Sequence, residues 1–206
     1  MITVVDYGMG NLKSVIKAFE HIGATVILTS KASDIEKAHA IVLPGVGAFD
    51  DCMRTLTKKN LDTAIRRHIF RGKPYLGICL GHQILFDTHE ESRKHIPGLG
   101  IFPGTVRRFP DDLKVPHMGW NQLKIYRKKC PLFNGIEDGA SFYFVHSYYT
   151  EPTDSRIVAA RTDYGVNFAS MIWDGARMYS MQFHPEKSQN AGLTMLKNFH
   201  TLYGQK

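Results

Sequence analysis

Cysteine is scarce in this 206-residue sequence, which holds only Cys52, Cys79 and Cys130. An odd number without a Cys-x-x-Cys pair argues against a disulfide framework and a zinc ribbon, and leaves at least one free thiol for chemistry. No apolar run approaches the roughly 18 residues that cross a bilayer. The opening Met1-Ile2-Thr3-Val4-Val5-Asp6 lacks a basic start and reaches an acid too early for a secretion signal, so the expectation is a cytoplasmic protein with no membrane partner. Linkers, internal repeats and low-complexity tracts are also missing, which points to a single domain over residues 1–206. Acidic residues are in deficit, 19 against 26 Lys and Arg, giving a formal charge of +7. Basic clusters fall at Arg66-Arg67-His68, Arg107-Arg108 and Arg127-Lys128-Lys129. Such clusters suit phosphate neutralisation, but no nucleic-acid reader motif accompanies them. Solvated surface is the plainer reading, with an acidic partner protein as an intermediate one.

The first half of the chain alternates short apolar strands with helical spacing. Strands are expected at Ile2-Thr3-Val4-Val5, Thr25-Val26-Ile27-Leu28, Ala40-Ile41-Val42-Leu43 and Pro74-Tyr75-Leu76-Gly77-Ile78. Helices are expected over 11–21, briefly after Ser33-Asp34, and over 49–70. This order implies an α/β fold with a mostly parallel central sheet flanked by helices. The second half carries short aromatic or alternating strands over 104–109, 121–125, 141–145, 157–161, 168–173 and 178–181, which add antiparallel strands to that sheet. A last helix is expected over 189–202.

Chemistry concentrates where the most apolar strand ends. Gly77-Ile78-Cys79-Leu80-Gly81 has the spacing of a nucleophile elbow with cysteine in place of serine. Small flanking residues permit a tight turn that projects the side chain above the carboxyl edge of the sheet. A helix starting near His82 would favour a thiolate there, and the Leu80 amide is placed to donate to an oxyanion. An isolated cysteine is more often a small buried hydrophobe; the two glycines reverse that for Cys79.

Among ten histidines, His184 has the strongest positional case. It closes the strand Met178-to-Phe183, and Pro185 biases it towards an extended conformation. Side chains two apart in an extended stretch share a side, so Glu186 can hold its imidazole. Cys79, His184 and Glu186 then read as nucleophile, base and orienting carboxylate, against the alternative that His184 simply ends a strand. Pro44-Gly45-Val46-Gly47 also follows a strand, and its backbone amides could form the other half of an oxyanion hole or only a sharp turn. His82, His89 and His95 lie six to seven apart and do not share a helix face as metal-binding pairs do, so neither metal nor cofactor is expected.

Together, Gly77-x-Cys79-x-Gly81-x-Gln83 and His184-x-Glu186 make the chain resemble the class I glutamine amidotransferase family, of flavodoxin-like fold, over nearly its whole length. Four further stretches resemble the histidine-biosynthesis branch: residues 6–11, 44–47, 116–121 and 143–148. The resemblance implies a glutaminase in which Cys79 forms a thioester with glutamine. It also implies that Gln83 and Glu91 hold the amino-acid end of the substrate, assisted by backbone around Ser147 and Tyr148. A (β/α)₈ cyclase/synthase subunit would complete a heterodimer and receive the ammonia. Asn11, Tyr143 and Lys187 match positions near that docking face, and a peptide flip at Gly45-Val46-Gly47 would couple the two sites. Glu91 also reads as a solvated helix-end charge, and Tyr143 as core. His82 departs from the pattern, since methionine is the commoner residue there in this branch. That leaves open a paralogous glutaminase serving a surface-sugar synthase. An inert basic fold that binds nucleic acid is the reading from another class.

Overall fold

The computed structural model describes residues 1–204. The elements run β1 (Ile2–Val5), α1 (Leu12–His21), β2 (Val26–Thr29), α2 (Ala32–Lys37), β3 (Ile41–Gly45), α3 (Phe49–Lys58), α4 (Leu61–Phe70) and β4 (Tyr75–Cys79). There follow α5 (Leu80–Gln83), β5 (Phe86–His89), β6 (Phe102–Arg108), β7 (His117–Gln122), β8 (Lys124–Ile125), β9 (Ser141–His146) and β10 (Tyr148–Pro152). Last come β11 (Val158–Asp163), β12 (Asn167–Trp173), β13 (Met178–Met181) and α6 (Gln189–Tyr203).

The main sheet has the order β2-β1-β3-β4-β13-β12-β10-β6-β5, with β11 and β8 attached beyond β12. Its first five strands are all parallel, as fully apolar runs require when helices cover both faces. Every residue of β1, β3 and β4 is buried. One face packs on α1 and α6 through Val15, Phe19, Leu196 and Phe199. The other packs on α3 and α4 through Leu56, Leu61 and Ile65. From β12 onward pairing turns antiparallel, except that β5 runs parallel to β6. β7 and β9 form a separate antiparallel pair.

Four expectations need correction. The helical region over 49–70 is two helices, because Asn60 adopts a left-handed conformation (φ 56°) between them. The helix after Cys79 is a single turn, since the chain must return at once to form β5; a long helix dipole is therefore not available to the thiol. Strands β5 and β10 were not expected, because their polar, partly exposed residues give no clear period, and the strand expected over 121–125 is instead the end of β7 followed by the separate β8.

The consequence for function lies in strand order. β3, β4 and β13 are neighbours and all point the same way. Their carboxyl ends deliver Gly45, Cys79 and the segment leading to His184 to one edge, the edge where open parallel sheets bind ligands.

Candidate active site

Cys79 has φ 54° and ψ −106°, outside the regions an L-residue ordinarily occupies. Such a backbone costs roughly 1–3 kcal/mol and persists only where its surroundings enforce it. Here they do. A Cβ on Gly81 would lie 1.9 Å from the Leu43 carbonyl oxygen, and one on Gly77 2.4 Å from the Gly81 oxygen. Gly81 is thus pressed against β3 and Gly77 against the elbow's own turn, so that only glycine fits at either position. The Tyr75 hydroxyl donates to the Gly81 carbonyl at 2.7 Å and ties the turn from below.

His184 follows β13 in an extended conformation (φ −104°, ψ 94°), but Pro185–Lys187 is a 3₁₀ turn rather than a continuing strand. The turn still brings Glu186 to the ring, with Oε1 2.8 Å from Nδ1, both side chains being buried. Backbone bonds pin this segment to β9. The His184 N–H donates to the Tyr143 carbonyl at 2.9 Å, and the Tyr143 N–H donates to Ser188 Oγ at 3.0 Å. Burial opposes charge on His184, but the Cys79 sulfur and then Glu186 outweigh it and raise its pKa to about 10. Nε2 itself, on the opposite side of the ring from Glu186, has no partner in hydrogen-bond geometry.

A cleft of about 320 Å³ opens over the sulfur, lined among others by Val46, Gly47, Cys79, Leu80, Gln83 and Glu91. Pro116, His146, Ser147 and Tyr148 form its other wall. Gly47 has φ +98°, and a Cβ on Gly45 would meet the Tyr7 hydroxyl at 2.6 Å, so the loop over the cleft is shaped by its glycines. Glu91 accepts from the Phe49 N–H at 2.7 Å through one carboxylate oxygen. Gln83 donates both amide hydrogens internally, to the Tyr148 carbonyl at 3.0 Å and to Gln182 Oε1 at 2.9 Å. Its oxygen takes the His89 Nε2 proton at 3.0 Å and has one further acceptor position.

The remaining nominated residues sit apart from the sulfur. Lys187 lies over the Tyr143 ring at 5.6 Å, on the outer side of the segment that holds His184. Asn11 immediately precedes α1, and its side chain accepts from Ser14 Oγ at 2.9 Å and caps no backbone N–H; α1 packs on the turn that carries Lys187. Beside Tyr143, Trp120 is 50% exposed and meets it edge-on, with Met118 also exposed. Both fall in the 116–121 stretch that carries the resemblance, where sequence alone assigns them no role. Alternation along β7 was the available signal, since it puts Met118 and Trp120 on the face opposite His117 and Gly119.

His82 is fully buried and points away from the sulfur. Its nitrogens pair with Ser180 Oγ at 2.7 Å and Thr150 Oγ1 at 2.9 Å, and burial takes its pKa down to about 3. It is a neutral tie between strands, not a modifier of the thiol. Cys52 and Cys130 are buried, and burial pushes both thiols up to about 12. Most basic-cluster arginines have local partners: Arg67 pairs with Glu36, Arg107 with Glu151 and Arg108 with Asp111, while Arg127 lies on the Trp173 ring at 4.2 Å.

Comparison with known proteins places these observations in a family. Residues 3–202 match the model of glutamine amidotransferase class-I. A protein of Syntrophotalea carbinolica named imidazole glycerol phosphate synthase subunit HisH is 52% identical, over 97% of this chain and 98% of its own. Proteins of the same name from Acinetobacter baylyi and Geobacter sulfurreducens are 50% and 49% identical, with 96% of this chain covered in each case. Among solved structures, PurLQS from Thermotoga maritima superposes with a TM-score of 0.76 at 19% identity, over 98% of this chain and 97% of that one, a likeness of fold.

Proposed function

The chain belongs to the class I glutamine amidotransferase family, and from that premise we propose that it is the glutaminase subunit of an imidazole glycerol phosphate synthase in histidine biosynthesis. Full-length relatives at about half identity carry that name, and they support this branch over the surface-sugar one.

The proposed chemistry begins with the Cys79 thiolate attacking the carboxamide carbon of glutamine. Negative charge moves to the carbonyl oxygen, where the Leu80 N–H and amides of the Gly45-Val46-Gly47 loop receive it. As the tetrahedral intermediate collapses the C–N bond breaks, and Nε2 of His184 gives its proton to the departing nitrogen. The product is ammonia and a γ-glutamyl thioester. Water then attacks the thioester, His184 accepts its proton, and glutamate leaves with the thiol restored. Glu186 fixes the ring so that Nε2, not Nδ1, faces the reaction. The α-ammonium of glutamine suits the free carboxylate oxygen of Glu91 and the remaining acceptor position of Gln83.

The observation that carries this reading is convergence. Three adjacent strand ends bring a strained cysteine, a buried His–Glu pair and a glycine loop to one small cleft. Ammonia released there is proposed to pass to a (β/α)₈ cyclase/synthase subunit in a cytoplasmic heterodimer, yielding imidazole glycerol phosphate and an aminoimidazole carboxamide ribotide. Tyr143, Lys187 and Asn11 lie on the proposed docking face, with Trp120 beside them.

The test is glutamate release from glutamine, measured alone and with a histidine-pathway synthase subunit plus its nucleotide ligand. Strong ligand-dependent stimulation supports the assignment. Activity that ignores this partner moves the ammonia acceptor to another synthase.

A further inference from the structure

A chain of buried side chains ends on the Cys79 sulfur, and its direction is fixed from the far end. The Glu91 backbone N–H donates to Nδ1 of His89 at 3.1 Å. An N–H can only donate, so Nδ1 is the bare nitrogen and Nε2 carries the proton. That proton goes to Oε1 of Gln83 at 3.0 Å. The Gln83 amide nitrogen then faces two acceptors, the Tyr148 carbonyl at 3.0 Å and Oε1 of Gln182 at 2.9 Å. A flipped Gln83 would set donor against donor at His89 and oxygen against oxygen at Tyr148. With its own oxygen so engaged, Gln182 can present only its amide nitrogen to Sγ of Cys79, at 3.6 Å. Gln182 is completely buried, and His89 and Gln83 are each 5% exposed, so water does not compete along the chain.

Resting on the reading of Cys79 as nucleophile, we propose that Gln182 is a further catalytic residue, an N–H donor that aims the sulfur and favours its negative form, and that His89 is a positioning residue that fixes the donor's direction through Gln83. Each link transmits orientation because the partners of each amide fix which end is nitrogen and which is oxygen. The device also joins the two ends of the cleft. Glu91, proposed above to meet the substrate's ammonium, is bonded through its own backbone to the ring that starts the chain. Burial supports the arrangement by taking His89 down to about 4, against a smaller opposing effect of Asp50, so the ring stays neutral near pH 7 and keeps one donor and one acceptor.

Three variants test it: Gln182→Met, which keeps length but deletes the donor; Gln182→Asn, which withdraws it by one methylene; and His89→Phe, which keeps the ring stacked on Phe49 but removes its N–H. The readouts are the pH profile of Cys79 alkylation by iodoacetamide, resolved by peptide mass spectrometry, and kcat against KM for glutamine. Loss of one such bond corresponds to a displacement of about half to one pH unit towards alkaline in both Gln182 variants, with kcat down about three- to tenfold. KM changes less than kcat in both Gln182 variants, since Gln83 loses its bond to Gln182 but keeps those to Tyr148 and His89. His89→Phe moves the profile the same way by a smaller amount. A merely structural role would lower the melting temperature and leave the profile in place, and that result in folded Gln182→Met and His89→Phe overturns the proposal. Alkylation needs no turnover, so the relay is judged even if wild-type protein releases no glutamate, a result that would overturn only the proposed function.

Discussion

Replacing His82 by methionine makes a prediction whose size depends on pH. In the native protein the ring accepts from the Ser180 hydroxyl and donates to Thr150 Oγ1, whose own proton goes to the Ala169 carbonyl. Methionine fills similar space but leaves the buried Ser180 hydroxyl without an acceptor, while Thr150 keeps its bond to Ala169. Near pH 7.5 the variant is therefore expected to be less stable by about 1–3 kcal/mol, the range for one buried unsatisfied hydroxyl. At lower pH the histidine itself becomes a liability. Its pKa falls from 6.5 to about 3 on folding because burial excludes the charged ring. The unfolded chain then takes up a proton that the folded one refuses, so the stability present above pH 6.5 is lost as pH falls towards about 3. Near pH 5 this loss amounts to about 2 kcal/mol, and the methionine variant does not suffer it. Urea denaturation of both proteins near pH 7.5 and pH 5 should show the gap between them shrinking by about 2 kcal/mol, close to zero. An equal gap at both pH values would refute the assignment of His82 as a buried neutral tie.

Other expectations follow from the same geometry. Gly81→Ala drives a Cβ to within 1.9 Å of the Leu43 carbonyl oxygen, and the protein is expected to lose more than about 3 kcal/mol or fail to accumulate, measured by solubility and thermal melting. Glu186→Gln removes the carboxylate that helps hold His184 near 10, so kcat for glutamine should fall by about 10²-fold, the lower end for general acid–base catalysis. The alkaline limb of its pH–rate profile should also move to lower pH; an unmoved limb would mean Glu186 does not set the ring's protonation. Trp120→Ala removes an exposed ring beside Tyr143 and should weaken stimulation by the synthase subunit at unchanged melting temperature, whereas full stimulation would take Trp120 off the docking face.

Legibility in the sequence varied with how local the cause was. The parallel half could be read because each strand is a short apolar run between helix signals, and Val4, Val42 and Leu76 are buried on both sides as such runs demand. The elbow could be read because glycines at 77 and 81 follow from contacts within a few residues and with the adjacent strand. The His184–Glu186 pair was found for an incomplete reason, since a 3₁₀ turn at Pro185 makes the contact that an extended chain was expected to make. β5 and β10 escaped because Asp87, Thr88 and Glu151 put exposed polar residues inside the strands. The chain from His89 to Gln182 had no sequence signal at all. Its members come from β5, the one-turn helix and the segment after β13, and only strand order brings them together.

The most direct measurement of the central claim is acid quenching of the protein during turnover of glutamine, followed by mass spectrometry of the peptide containing Cys79. The account predicts a γ-glutamyl adduct on Cys79, absent from Cys79→Ala, which also releases no glutamate. Undiminished glutamate release by Cys79→Ala, with no adduct on the wild-type peptide, would contradict it.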